Sequence, residues 1–187
     1  MVLSRALQKM KFDIKDFQNP HLKSFDEYLS MYEDSIQNPS EFFLDQAKKE
    51  IEWFKEPKKG HCGELTAPTW FEDGKLNITY NCLDRHVKET PNKTAIIWQG
   101  DDKNHNQQIT YKELLTEVSK LANGLKALGV KKGDRICIYM PMVPQAAYSM
   151  LACMRIGAIH SVVFGGFSPE AISSGINDAE SEYIITE

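Results

Sequence analysis

Cysteine is scarce in this chain, four residues in 187, and Cys62, Cys82, Cys137 and Cys153 show no close paired spacing. A disulfide framework is therefore not the basis of the fold, and reduced thiols are expected. A four-ligand zinc set can be written from adjacent His61 and Cys62 with Cys82 and His86. Adjacent ligands fit a tetrahedron poorly, and no metal site is expected. Long apolar runs are missing as well, because the most apolar stretch is broken by Pro141, Pro144 and Gln145. No membrane-spanning helix is predicted, and the opening MVLSRALQKMKFDIKDF has no apolar segment of signal-peptide length. A cytoplasmic protein with no membrane partner is the expectation. Excess positive charge is also absent: the net charge is −4, and the lysine pairs at 48/49, 58/59 and 131/132 are scattered among carboxylates. That excludes a basic stripe and with it a nucleic-acid partner.

What is present is concentrated between Arg135 and Phe167. Ile136 to Met140 is a short apolar run suited to a buried strand, and Pro141 and Pro144 end it. Ala146, Ala147, Met150, Leu151 and Met154 then recur at helical spacing until Gly157 supplies a left-handed stop. Ile159 to Phe164 is continuous and rich in β-branched residues, which predicts a second buried strand. It delivers the backbone into Gly165 and Gly166 just before a helix start at Ser168 and Pro169. Parallel sheets bind ligands at the carboxyl ends of their strands, where glycines admit close approach and helix amides favour anions. Gly165, Gly166 and Ser168 are thus placed for a phosphate, while the plainer alternative is a tight strand-to-helix turn with no ligand.

The rest of the chain is punctuated clearly. Ser24 with Glu27 reads as a capping box opening a short helix with an apolar stripe of Phe25, Tyr28, Leu29 and Tyr32. Asn38 and Pro39 start a second helix that runs toward Pro57, and residues 55–69 read as an ordered surface loop anchored by Trp70 and Phe71. An Asp73-Gly74 turn precedes a helical pattern over 76–87, in which Asp84, Arg85 and His86 are expected to serve as structural hydrogen-bonding or salt-bridge groups. A hairpin is predicted from Lys93–Gln99 and Gln108–Tyr111, and a long capped helix from Thr110 and Glu113 to Gly129. Helical residues Ala171, Ile172 and Ile176 and a final strand, EYIITE, complete it.

These carriers, the WF followed by DGKLNITYNCLDRH, the strand AIIW, the block from ITYKELL through GAIHSVVFGGFS, and the closing YIIT, resemble the amino-terminal part of AMP-forming acetyl-coenzyme A synthetases of the adenylate-forming superfamily. The likeness runs from about Ser24 to the last residue. It implies an α/β fold, with a helical amino-terminal extension followed by an incomplete βαβαβ parallel-sheet portion. Its expected organisation is a loosely ordered arm over 1–23, the extension over 24–89, and a truncated first part of the AMP-binding domain over 90–187. The implied reaction is ligation of acetate to coenzyme A with ATP and Mg²⁺, through acetyl adenylate and pyrophosphate, with propionate as an alternative acid. In similar enzymes the FGGF turn lies by the nucleotide end of coenzyme A, so Phe164, Gly165 and Gly166 are the cofactor-binding residues implied, with no catalytic residue and no metal ligand. The Ser/Thr/Gly-rich phosphate loop, the acyl pocket and the domain bearing the catalytic lysine have no counterpart in these residues, and Gly175 stands where the family usually has arginine. An inactive fragment that binds none of these cofactors tightly is therefore expected. A noncatalytic coenzyme A, nucleotide or protein-binding module is the alternative, with self-association through uncovered apolar surface.

Overall fold

A computed structural model describes residues 17–18, 20–64 and 66–186. The arm expected over 1–23 lies for the most part outside these. The described residues of Met1–Ile51 and Lys55–Gly74 form one unit, and those of Glu52–Phe54 and Lys75–Glu187 another.

The first unit holds helices α1 (Phe25–Gln37) and α2 (Pro39–Glu50) and a small antiparallel pair, β1 (His61–Cys62) with β2 (Thr69–Trp70). Ser24 Oγ accepts the Glu27 amide at 3.1 Å, but the Glu27 carboxylate takes the Lys23 amide, one residue outside a true capping box. The aromatic stripe of α1 is exposed and stacks on itself, with Phe25, Tyr28 and Tyr32 rings 5.8 and 6.1 Å apart. The β1–β2 pair forms within the stretch 55–69, read as an ordered surface loop, and at its anchor Trp70. Asp73 closes part of this unit by accepting the Lys58 amide at 3.0 Å, which holds its carboxyl below the usual range.

The second unit is α/β. It opens with one π-helical turn, Tyr80–Asp84, running into α3 (Arg85–Glu89). The simple helix expected over 76–87 is distorted where polar side chains turn to other backbone. Asn77 Oδ1 accepts the Thr79 and Tyr80 amides, and Asn81 both accepts from and donates to the backbone of Glu52, at 2.8 and 2.9 Å. The second helix stops at Glu50, short of Pro57, where Ile51 is extended and donates its amide to Ala47 O.

Strands β3 (Thr94–Gln99) and β4 (Asn106–Thr110) form the expected antiparallel hairpin, with a bulge between Thr94 and Ile96. Helix α4 (Tyr111–Ala127) begins with a complete capping box between Thr110 and Glu113 and buries Leu114, Val118, Ala122 and Leu125. Next come β5 (Arg135–Met140), α5 (Pro144–Ile156), β6 (Ile159–Phe164), α6 (Pro169–Asp178) and β7 (Tyr183–Thr186). All three strands are parallel and ordered β6-β5-β7, so the chain steps from the central strand to one edge and then returns past it to the other. Ile136 and Ile138 of β5 pack with Val118, Leu125, Ala152 and Cys153 in the core. Gly157 ends α5 in the left-handed conformation, as its sequence position predicts.

The burial expected of β6 is overturned. β6 is not a buried strand: Ile159, Val162 and Phe164 are 56%, 52% and 64% exposed. The run is β-branched and continuous, yet it lies at an edge of the sheet, where only β5 flanks it. Burial of such a strand depends on neighbours that local sequence does not specify.

Candidate ligand cleft at the carboxyl ends of the strands

Because β5 is central and its neighbours are reached in opposite directions, the ends of all three strands border one crevice. A cleft of about 510 Å³ sits there, walled by Tyr139 and Met140 at the end of β5, Phe164 and the glycine pair at the end of β6, and Thr186 at the end of β7. The structure thus brings Phe164, Gly165 and Gly166 together on one concave surface. Pro141 and Met142 complete the rim, and Met142 is 84% exposed.

The two glycines serve different ends. Neither has a positive φ, so the turn does not need their conformational freedom. A Cβ on Gly166 would stand 2.7 Å from Phe164 Cε1, whereas one on Gly165 would meet nothing nearer than Met140 O at 3.6 Å. The absent side chain at Gly166 is what lets the Phe164 ring fold over the turn. Phe167 meets that ring edge-on, with centroids 6.0 Å apart, so the Phe164 ring that lines the cleft is one of an aromatic pair.

Two side chains from elsewhere fix the walls. Tyr139 donates its hydroxyl to Gly165 O at 3.0 Å, pinning the glycine turn to the central strand. Trp98 of β3 donates Nε1–H to Met142 O at 2.7 Å and so holds the opposite rim. Sequence reasoning passed over both residues. The only signal for Tyr139 was a polar-tipped aromatic at the carboxyl end of a strand, and nothing near Trp98 pointed to residue 142.

Ser168 does not face the cleft as an anion site would require. Its Oγ accepts the Ala171 amide at 3.3 Å, and the Glu170 carboxyl is held below the usual range by its own backbone amide and the Ser168 hydroxyl. The start of α6 is thus served by acceptors of its own, and among the described residues no lysine or arginine lines the cleft. Its chemistry suits a flat aromatic or apolar group better than a phosphate.

The remaining candidates have structural partners. Asp84 forms a bidentate ion pair with Arg155 of α5, at 2.7 and 3.0 Å, and the His86 ring lies 5.0 Å from that of Tyr111. His61 packs on Trp70, with ring centroids 4.9 Å apart. All four cysteines are free, and the described residues contain no cluster of three or more His, Cys, Asp or Glu placed to hold a metal ion. No described helix is long and apolar enough to cross a membrane.

The parallel sheet with a cleft at its switch point defines an α/β protein of the open-sheet class, and comparison with known proteins specifies the kind. The family model for AMP-binding enzymes matches residues 83–187, and the chain belongs to that family. Residues 28–82 match the model for the acetyl-coenzyme A synthetase N-terminus. Among curated relatives, acetyl-coenzyme A synthetase of Gamma-proteobacterium EBAC31A08 is 52% identical over 172 residues, covering 92% of this chain and 27% of its own length. Acetyl-coenzyme A synthetase 2 of Pseudomonas aeruginosa is 51% identical over 163 residues, 86% of this chain and 25% of its own length. The acetyl-coenzyme A synthetase of Allorhizobium ampelinum is 54% identical over 164 residues, again 86% and 25%. The chain therefore spans about a quarter of the length of the curated relatives it matches.

Proposed function

We propose that this chain is the amino-terminal part of an acetate–CoA ligase and that its cleft contributes the wall against which the adenine of coenzyme A rests. The observation that carries this reading is the exposed Phe164 ring, folded over Gly166 and backed by Phe167 beside an uncharged cleft. An aromatic face offers stacking to adenine, worth about 1–3 kcal/mol per base. The phosphates of the ligand, by contrast, would have to find their cations outside this cleft. The similarity to acetyl-coenzyme A synthetases supports the substrate assignment. In the complete reaction ATP and Mg²⁺ would activate the acid as an adenylate and coenzyme A would displace AMP.

The residues of this chain would supply scaffold and part of a binding wall. Transfer of an adenylyl group needs donors arranged about the reacting phosphates, and this cleft presents no cationic side chain. The 187-residue chain alone is therefore expected to be inactive, with no acetate-dependent exchange of pyrophosphate into ATP. Calorimetry with coenzyme A tests the wall itself. Saturable binding that weakens at least tenfold in Gly165→Asp supports the reading. Absence of saturable binding favours an inert fragment, and binding indifferent to that substitution refutes the assignment of Phe164, Gly165 and Gly166.

A further inference from the structure

The cations missing from that cleft are gathered at the other end of the strands, where β5 and β6 begin. Two adjoining hollows lie there, of about 650 and 480 Å³, and Lys132, Arg155 and Ile156 line both. The larger is basic, bordered by Lys126 of α4 and by Lys131 and Lys132 of the following loop, with Asn123 beside them and no described carboxylate in its lining. The smaller is apolar: Phe54 and Ile78, 65% and 45% exposed, stand in it with Leu76 and Met154.

Lys132 is seated at the junction of the two. Its stem lies over Gly157, where a Cβ would come within 2.9 Å of Lys132 Cγ, so a glycine there is required for the lysine to cross the end of α5. The carbonyls at these helix ends already accept other hydrogen bonds. Met154 O and Arg155 O accept from Asn77 Nδ2 at 3.2 and 3.1 Å, while Gly124 O, Lys126 O and Leu125 O accept from the amides of Leu128, Gly129 and Val130. Arg155 is committed to Asp84. Among the described residues, no ion pair engages Lys126, Lys131 or Lys132. Three ammonium groups around one hollow, in a chain of net charge −4, form a local reversal of sign next to an aromatic shelf.

We propose that this groove is a second ligand site, which takes an organic phosphate with an aromatic or apolar body. The phosphate dianion lies among Lys126, Lys131 and Lys132, and the body lies against Phe54 and Ile78. A single carboxylate would leave most of the cationic charge unmatched, and a purely inorganic anion would leave the shelf in water. The inference is independent of the assignment of the cleft at the carboxyl ends.

The test is titration of the ¹⁵N-labelled 187-residue chain with 1-naphthyl phosphate and, separately, with inorganic phosphate, followed by amide chemical shifts. The expected result is saturable movement of the Lys131, Lys132, Gly157 and Ile78 amides by naphthyl phosphate. Inorganic phosphate should move the lysine amides alone, at least tenfold more weakly. The double variant Lys131→Gln, Lys132→Gln should lower the affinity for both anions tenfold or more, and Phe54→Ala should lower it for naphthyl phosphate only. Shifts that do not saturate, shifts centred on Gly165 to Phe167, or an affinity unchanged in the lysine variant would overturn the proposal. Because the substituted side chains are exposed, amide spectra of the free variants that overlay the parent establish that a lost affinity is not a lost fold.

Discussion

The ion pair between Asp84 and Arg155 joins the π-helical turn to the last turn of α5, and its removal has a calculable cost. The two guanidinium contacts are 2.7 and 3.0 Å, and the Arg155 and Asp84 side chains are 29% and 20% exposed. At a charge separation near 4 Å and an effective dielectric of about 20, the gross attraction is about 4 kcal/mol. Partial desolvation cancels much of that. The net value falls between exposed pairs, at about 0–1 kcal/mol, and the roughly 3–5 kcal/mol lost when a fully buried pair is broken. We expect about 2 kcal/mol of destabilisation in Asp84→Asn, which keeps the shape and removes the charge. For a chain of 187 residues, that corresponds to a fall in Tm of about 4–8 °C. A double-mutant cycle with Arg155→Gln, read by urea unfolding, should return a coupling of about 1–2 kcal/mol. Coupling within about 0.3 kcal/mol of zero, with both single variants near the parent, would refute the argument that this pair is shielded enough to matter.

Two further expectations follow from local geometry. Gly166→Ala places a methyl 2.7 Å from the Phe164 ring edge, so the ring must swing aside and the ring-current shifts of Phe164 and Phe167 should change. The ring is 64% exposed and free to move, so stability should fall by no more than about 1 kcal/mol, the cost of one displaced rotamer. Gly165→Ala meets only ordinary contacts, at 3.6 Å, and should leave both aromatic spectrum and Tm unaltered; identical behaviour of the two variants would count against the assigned roles. Burial pushes the Cys153 thiol up to about 11 and raises that of Cys137 as well, whereas Cys82 is exposed and Cys62 half-buried. Ellman's reagent at pH 8 should therefore label Cys82 and Cys62 in the folded chain and all four only in denaturant. A raised thiol pKa in the folded state favours the neutral form, so this stabilisation is complete below the ordinary value of 9.0 and is lost as pH rises from there to about 11. Rapid native labelling of Cys153 would show the core to be open.

Much of the α/β unit was legible because its signals are local. Thr110 with Glu113, Pro144 at a helix start, Gly157 after the last turn and Ser168 before Pro169 each act within about four residues, and the structure places each as its chemistry requires. The π-helical turn was not legible, because it arises from Asn81 reaching 29 residues back to Glu52. The exposure of β6 escaped for a related reason. A run such as Ile159 to Phe164 reports its own β-propensity, and only the strand order β6-β5-β7 reveals that it has a neighbour on one side. In the cleft, the glycine turn could be read from its residues. Tyr139 and Trp98 could not, since their bonds to Gly165 and Met142 span 26 and 44 residues.

The position of β5 has one more consequence. Its ladder with β6 runs from Arg135 to Met140 and its ladder with β7 from Ile136 to Tyr139, so the strand is paired with both neighbours along most of its length. Phe164 is in register with Met140 and Thr186 with Tyr139, so both outer walls of the cleft are anchored on adjacent residues of one strand.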